Sequence, residues 1–343
     1  MEQIFRWGVI GTGIIACKFG EAIACLDDAE IVAVSNRTRA KADAFAERFG
    51  IETVYDSNAE LLADERVDAV YVATLNIQHY DVVKQALQAG KNVLCEKPIV
   101  MSADQARELV ALARENDVLL CENLWTRFLP IYDRLRELIA EGGIGEVRVI
   151  HADYFFRMEF DPNDRFFNPD LGGGALFDIG VYGLGFIGTF LGYEPDRVHA
   201  VARMGQTGVD EVLHLSLGYP SGAMADATFS ISTPAPFRAM VIGTRGRIEI
   251  PEYGRATTAT VYQYPDVEAG RNSKGTGTVS NVPEGTTSYV IEEPFKQNGF
   301  EYTAMAVARA VREGKKETDL LSCAEIVKWV ELKEAIRADI RGE

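Results

Sequence analysis

The 343-residue chain has few of the residues that mark metal sites, disulfide scaffolds or membrane spans. It has five cysteines, scattered and without a CxxC spacing, and four histidines that never pair at positions i and i+4. Such cysteines indicate free thiols in a reducing compartment, and such histidines argue against a zinc site. No apolar stretch approaches the roughly 20 residues that span a bilayer, and the start of the chain lacks the layout of a signal peptide. We therefore expect a cytoplasmic protein without a metal.

Basic residues are the minority among the charged ones. The chain has 35 Lys and Arg against 51 Asp and Glu, a net charge of −16. Such a field repels phosphate backbones and anionic lipid, so we expect neither nucleic acid nor a membrane as a partner. The composition, 47% hydrophobic and 25% charged, is that of a globular protein, and the length suits two domains.

Strand-like and helical segments alternate from residue 4 to about residue 122. Helical patterns at 39–49 and 102–115 lie between short strands that are apolar on both faces, as buried parallel strands are. The predicted strands are 4–10, 30–34, 69–73, 92–95 and 118–121. This alternation predicts an N-terminal Rossmann domain, a doubly wound parallel sheet, over residues 1–124.

Beyond this region the pattern changes to longer runs with a period of two residues. The predicted strands are 146–157, 197–203, 211–219, 223–232, 238–242, 247–250 and 258–264. The predicted helices are 131–141, 175–191, 299–313 and 322–340, and residues 266–287 are predicted to form a polar loop. The pattern predicts an α+β domain over residues 125–343, with a large, mostly antiparallel open sheet.

The helices can cover one face of this second sheet. The C-terminal pair is expected to pack back toward the first domain. We assign the alternating Leu213, Leu215 and Leu217 to the other face. An uncovered apolar face usually marks an interaction surface, so we expect a homodimer formed through it.

A glycine-rich turn follows the first predicted strand. Gly11, Gly13 and Ala16 give the fingerprint G-x-G-x-x-A before a helix. The first glycine permits the tight turn, the second lets a pyrophosphate approach the backbone, and the small third residue lets helix and strand pack closely. The helix N-terminus supplies N–H groups to the anion. We therefore assign dinucleotide binding to Gly11, Thr12, Gly13, Ile14 and Ile15.

The end of the second strand indicates which dinucleotide binds. It reads Ser35-Asn36-Arg37 and has no acidic residue to hold a ribose 2′-hydroxyl. A guanidinium suits a 2′-phosphate through charge-assisted hydrogen bonds. The sequence therefore favours NADP, with NAD as the alternative.

Ligands of open α/β sheets bind beyond the carboxyl ends of the strands. The segments that leave those ends are 74–79, 96–98 and 122–125. We expect them to converge beside the nicotinamide, with Lys97 projecting toward the cofactor.

Two of these segments and two later ones carry a family resemblance. They read T-L-N-I-Q-H at 74–79, E-K-P at 96–98, W-T-R-F-L-P at 125–130 and G-G-G-A-L-F-D-I-G-V-Y at 172–182. The chain resembles the Gfo/Idh/MocA oxidoreductase family, and within it the branch of dimeric dihydrodiol dehydrogenases and NADP-dependent D-xylose dehydrogenases. Tyr182 stands where many members of the wider family have His, which favours this branch.

The resemblance implies Lys97 as a catalytic residue, with Asp178 and Tyr182 in the substrate pocket. On the same basis we assign further cofactor contacts to Thr74, Leu75, Asn76, His79, Glu96, Lys97, Asn123, Trp125 and Arg127. A core role for Trp125 is the alternative. Arg165 is a further substrate-binding candidate, for which a surface ion pair is the alternative.

Oxidising an alcohol requires a base for the hydroxyl proton while hydride passes to nicotinamide C4. A free tyrosine, with a pKa of about 10, is a poor base at neutral pH, but a nearby ammonium favours the phenolate. We therefore interpret Tyr182 as the general acid–base, with Lys97 activating it and hydrogen-bonding the substrate oxygen. These two roles can be exchanged, and Asp178 either orients Lys97 or binds a second hydroxyl. A core position for Tyr182 is the structural alternative.

The predicted function is hydride transfer between NADP and a carbon of a sugar or cyclic diol. One alternative is an NADPH-dependent reductase of a dicarbonyl or ketosugar, which is the same chemistry in reverse. Another is a non-catalytic NADP-binding regulatory protein. The presence of both Lys97 and Tyr182 argues against the last, because a sensor needs neither.

Overall fold

The structure, a computed structural model, describes residues 4–265 and 283–342. Its N-terminal part is a six-stranded parallel sheet with the strand order β3-β2-β1-β4-β5-β6. The strands are β1 (Phe5–Ile10), β2 (Ala29–Ser35), β3 (Thr53–Tyr55), β4 (Ala69–Val72), β5 (Asn92–Glu96) and β6 (Leu120–Asn123). The helices are α1 (Ile14–Ile23), α2 (Arg39–Phe49), α3 (Asn58–Leu62), α4 (His79–Gln88) and α5 (Ala103–Glu115).

The second part is an eight-stranded sheet with helices on one side. After α6 (Pro130–Ala140) come β7 (Val147–Phe155), α7 (Ala175–Asp178), α8 (Gly180–Leu191), β8 (Arg197–Met204), β9 (Asp210–Gly218), β10 (Met224–Ser230), β11 (Arg238–Gly243), β12 (Gly246–Ile250), β13 (Thr258–Gln263), β14 (Thr287–Glu292), α9 (Phe300–Arg312) and α10 (Cys323–Arg341). The strand order is β14-β13-β12-β11-β7-β10-β9-β8. Every neighbouring pair is antiparallel except β7 with β10, which is parallel. The predicted fold class is confirmed.

The structure differs from the prediction in two strands and one helix. The sequence prediction missed β3 and β14, which are short or exposed edge strands with little apolar pattern. The predicted helix 175–191 is two helices that meet at Ile179. Residues 266–282 of the predicted loop lie outside the described residues, and the loop ends where β14 begins at Thr287.

The assignment of Leu213, Leu215 and Leu217 to the uncovered face was wrong. All three are buried on the side that α7, α8 and α10 cover. The opposite face of β9 carries His214 and Ser216, which are exposed. The alternation of leucine with polar residues already pointed this way, because the polar row belongs in water.

The two C-terminal helices contact the first sheet's helices. α9 packs on α1, where Asn298 Nδ2 donates to the carbonyl of Lys18 at 2.9 Å. α10 packs on α5, where the amide of Ala103 donates to Glu334 Oε1 at 3.0 Å. Within the described ranges, no single helix has the length and apolar character to cross a membrane, and only one bent pair, Pro169–Asp178 with Gly180–Leu191, meets those criteria together.

Candidate active site

The turn between β1 and α1 has the backbone of a phosphate-binding loop. Gly11 has φ +95°, and a Cβ there would lie 2.5 Å from the carbonyl oxygen of Ala73, which directly follows the neighbouring strand β4. Only glycine fits this conformation and this close approach. Gly13 precedes α1, makes no side-chain cap and has open space where a Cβ would point. The first N–H groups of α1 are therefore open to an anion.

The surroundings of this turn fit a dinucleotide. Among the described residues, Thr12 Oγ1 and Thr74 Oγ1 are buried and have no hydrogen-bond partner. Ile14 is 87% exposed, and Leu75 and Ile77 are also exposed, although all three are large apolar side chains. Unpartnered hydroxyls and an apolar rim at the carboxyl ends of the strands are what phosphates and aromatic rings of a cofactor would cover.

The end of β2 presents one available cation. Ser35 is buried and its hydroxyl donates to Asn58 Oδ1 at 2.9 Å, while Asn36 Nδ2 donates to the Thr38 carbonyl at 3.0 Å. Arg37 is exposed and makes no ion pair with any described residue. Arg39, by contrast, is paired with two carboxylates, Asp43 and Asp56. Arg37 is thus the guanidinium at this strand end that a 2′-phosphate could engage.

Lys97 follows β5 directly, and contacts with two neighbouring segments hold its loop. The Lys97–Pro98 peptide bond is cis. The carbonyl of Pro98 lies 2.8 Å from His79 Nδ1, and the amide of Ile99 donates to Glu122 Oε1 at 3.1 Å. The side chain of Lys97 is mostly buried, and Nζ donates to the carbonyl oxygen of Asp178 at 2.8 Å.

The break between α7 and α8 creates this acceptor. The amide of Tyr182 bonds to the Ile179 carbonyl at 3.0 Å, so the Asp178 carbonyl is left outside the helix and accepts from Lys97 instead. Lys97 Nζ also lies 3.7 Å from Asp178 Oδ1 and 5.0 Å from the ring centroid of Tyr182. Arg165 donates to Asp178 Oδ1 at 2.5 Å. The fold therefore brings together all four of the residues predicted to catalyse the reaction or bind the substrate.

Lys97 carries its charge at neutral pH in this site. Burial alone would lower the pKa of Lys97, but the charges of Asp178 and Tyr182 outweigh burial and raise the pKa above its usual value. The side chain is thus an ammonium that can donate hydrogen bonds to an oxygen.

Tyr154 on β7 is a site residue that the sequence reasoning missed. Its ring stacks on Tyr182 at 5.3 Å between centroids, and Phe237 stacks on its other face at 4.7 Å. Burial raises the pKa of Tyr154 to about 12. The period-two pattern predicted its strand, but its position beside Tyr182 depends on how strand and helix pack.

Several residues predicted to contact the cofactor form hydrogen bonds with other groups of the protein. His79 is buried with both ring nitrogens against backbone carbonyls, and burial lowers its pKa. Glu96 is buried, which raises its pKa, and it accepts from Tyr71 at 2.5 Å and from Asn123 at 2.6 Å. These residues fix the strand ends around Lys97, and their contact with a cofactor stays a prediction.

Trp125 and Arg127 are held by the C-terminal segment. Trp125 is buried and stacks on Phe300 at 5.1 Å. The guanidinium of Arg127 donates to the Leu320 carbonyl, to Tyr193 and to Glu325. Asn76 begins a short 3-10 turn after β4. Direct cofactor contacts for these three also stay predictions.

In residues 4–265 and 283–342, no group of three His, Cys, Asp or Glu side chains could hold a metal ion.

Two family models match the chain. Residues 5–124 match the model of the oxidoreductase family with an NAD-binding Rossmann fold, named GFO_IDH_MocA, and residues 132–249 match the GFO/IDH/MocA C-terminal domain.

Similar proteins cover nearly the whole chain. The trans-1,2-dihydrobenzene-1,2-diol dehydrogenase of Mus musculus is 34% identical over 98% of this chain and 96% of its own. A 3-ketoreductase from Actinomadura kijaniata, crystallised with NADP and TDP-benzene, is 28% identical with a TM-score of 0.82 and covers 98% of both chains. An aldose-aldose oxidoreductase from Caulobacter crescentus, with a TM-score of 0.84 over 99% of this chain and 98% of its own, is 23% identical and shares the fold.

Proposed function

The chain belongs to the Gfo/Idh/MocA oxidoreductase family, as its motifs predicted, and we propose that it moves hydride between NADP and a hydroxyl-bearing carbon of a sugar or cyclic diol. It is an NAD(P)-dependent oxidoreductase. The observation that carries the proposal is the buried Lys97 ammonium, which lies beside Tyr182 and Asp178 at the strand ends where the phosphate loop also opens. The diol dehydrogenase and the NADP-bound ketoreductase among its relatives support this substrate and cofactor class.

In the proposed mechanism, side chains of this protein transfer the proton of the substrate hydroxyl. Residues 11–15 would hold the pyrophosphate and Arg37 the 2′-phosphate, and the bound cofactor supplies the hydride acceptor. Lys97 donates a hydrogen bond to the substrate oxygen. As a cation it also stabilises the negative charge that Tyr182 Oη carries before it accepts the substrate proton and again after it donates one. Because the Lys97 ammonium is favoured, we assign the base role to Tyr182.

Asp178 and Arg165 complete the substrate side of the site. Asp178 binds both cations: its backbone carbonyl accepts from Lys97, and its carboxylate accepts from Arg165. The half-exposed Arg165 and the Tyr154 ring are positioned to contact the rest of the substrate. Because Tyr182 and Phe237 cover the faces of the Tyr154 ring, the substrate would meet the edge of this stack, which suits an apolar face of a cyclic substrate.

The reverse direction is the second candidate. The ketoreductase relative is named for carbonyl reduction, and an ammonium beside a phenol serves equally to donate a proton to a carbonyl oxygen. Reduction of a dicarbonyl or ketosugar would therefore use the same residues with NADPH as the donor.

A panel of substrates tests the proposal. The purified protein is mixed with NADP and pentoses, hexoses or cyclic diols, and with NADPH and ketosugars or dicarbonyls, while NADPH absorbance is followed. We expect turnover in one of the two directions with at least one class. NADP binding measured by calorimetry without turnover on any class would favour the non-catalytic regulatory alternative.

Arg37 should set the preference for NADP over NAD. A hydrogen bond to a charged group is worth about 1.5–3 kcal/mol, or roughly 10- to 100-fold, so Arg37→Ala should lower kcat/KM for NADP by that factor and leave NAD unchanged. Arg39→Ala is the matched control, because Arg39 is already paired with Asp43 and Asp56. Equal losses with NADP and NAD would contradict the assignment.

We also retain the homodimer as a proposal. The uncovered face of the second sheet carries Val201, 73% exposed, and Met224, 56% exposed, among polar neighbours. Sedimentation at micromolar concentration should give a dimer, and Met224→Glu should shift it toward monomer, while Ile4→Glu, outside this sheet, should not. A monomeric wild type would reject the proposal. The domain boundary at residues 124 and 125 and the cytoplasmic location stay predictions.

A further inference from the structure

Asp210, the first residue of β9, lies against the N-terminus of α7, where its Oδ2 accepts from the amide of Leu176 at 2.8 Å. We propose that Asp210 is a positioning residue of the active site: its carboxylate fixes α7, and α7 presents Asp178 to Lys97. This inference rests on the proposed function, because it assigns a role in the same reaction.

The helix α7 is too short to be stable without contacts to other elements. It has four residues and two internal backbone bonds, from Asp178 to Gly174 and from Ile179 to Ala175. A single helical turn is unstable alone, because few bonds offset the cost of ordering it. The amide groups of Ala175 and Leu176 face the Asp210 carboxylate, which supplies the missing acceptor.

The glycine run before α7 fits this contact. Gly174 has φ +116°, and a Cβ there would clash with Asp210 Oδ1. At Gly173 a Cβ would come within 2.8–2.9 Å of three carbonyl oxygens in the loop 165–168. The amide of Gly174 also donates to the Phe166 carbonyl at 3.0 Å. The glycines therefore let the Arg165 loop, α7 and Asp210 pack without a gap, rather than forming a flexible connection.

A shift of α7 would reach the reacting groups directly. Its last residue, Asp178, accepts from Lys97 at 2.8 Å through the carbonyl and from Arg165 at 2.5 Å through the carboxylate. A misplacement of about 1 Å in a catalytic group can lower the rate roughly 100-fold. Loss of the Asp210 contact should thus act on kcat without touching the cofactor loop.

The contact should also depend on pH. Burial raises the pKa of Asp210 to about 6, although the amides of Leu176 and Ala175 and the charge of Arg337 on α10 lower it. The adjacent Glu211 is paired with Arg203. Protonation of Asp210 below pH 6 removes the charge that binds the two amides. Activity should therefore fall below pH 6. The free energy of unfolding should change in the opposite direction: because the pKa of Asp210 is raised in the fold, ionisation of Asp210 lowers the stability of the protein at neutral pH.

Two variants separate positioning from stability. Asp210→Ala should lower kcat at least about tenfold, with the Kd for NADPH unchanged. Asp210→Asn keeps an acceptor for the amides but loses the charge, so at every pH it should have the reduced kcat that the wild type shows well below pH 6. It should lack the fall in activity near pH 6 and melt at the same or a higher temperature. Asp68→Ala is the control: Asp68 Oδ2 accepts from the Arg6 amide at 2.7 Å at the opposite end of the first sheet.

A readout independent of turnover is hydrogen exchange at the amides of Ala175 and Leu176. Protection of these amides should fall in Asp210→Ala and in the wild type below pH 6. An active wild type whose Asp210→Ala variant keeps kcat, pH profile and protection would overturn this inference alone. An inactive wild type with normal protection that depends on Asp210 would instead reject the proposed function.

Discussion

Lys97→Met is expected to abolish turnover while leaving NADPH binding within about twofold of the wild type. Positioned proton transfer and the associated charge stabilisation contribute about 10²- to 10⁴-fold, so kcat should fall by roughly that factor. Lys97 Nζ makes its contacts with Asp178 and Tyr182 rather than with the phosphate loop, and methionine fills a similar volume. Steady-state kinetics and calorimetric NADPH titration measure the two effects separately.

Lys91→Met controls for the loss of a partly buried lysine. Lys91 Nζ also donates to backbone carbonyls, at 2.7 Å and 3.1 Å, but at the amino end of the first sheet. This variant should lose stability and keep kcat. A Lys97→Met enzyme with wild-type kcat would rule out the catalytic role of the lysine.

The second large effect is expected for Tyr182→Phe. This change removes one oxygen and keeps the ring that stacks on Tyr154, so packing should persist. If Tyr182 is the general acid–base, kcat should fall about 10²- to 10⁴-fold, with little change in KM or in the melting temperature.

Tyr154→Phe is the matched control for the loss of a phenol in the same stack. It should reduce kcat less than about tenfold, since Tyr154 has no assigned proton to transfer. If the two variants lost activity equally, the proton would have to be assigned elsewhere, with Lys97 as the first candidate.

The sequence predicted the parts of the site that local patterns determine. The fingerprint from Gly11 to Ala16 requires a turn between strand and helix, and the structure has it there. Lys97 could be located because it ends an apolar strand before a proline, and carboxyl ends of parallel strands share one edge.

Contacts between distant elements could not be predicted this way. Tyr154 lies on β7 and Asp210 begins β9, and each meets the active site only because that sheet packs on α7 and α8. No periodic pattern encodes such a meeting. The break at Ile179, which frees the Asp178 carbonyl for Lys97, likewise lies inside one continuous apolar run.

The assignment of Arg127 illustrates a different limit. A motif identifies the residue but not its partner, and here the guanidinium pairs with Glu325 on α10. Leu213, Leu215 and Leu217 were assigned to the wrong face because the assignment rested on how many helices were left to cover the sheet. The polar residues His214 and Ser216 between them, which are exposed, already indicated the solvent side.

A crystal structure of the protein with NADP tests the central claim most directly. The account predicts the pyrophosphate at residues 11–15 and nicotinamide C4 facing the space in front of Lys97 Nζ and Tyr182 Oη, so that a substrate whose oxygen contacts both groups could bring its carbon to about 3–3.5 Å from C4. A nicotinamide ring bound away from both groups, or a bound state in which they point apart, would contradict it.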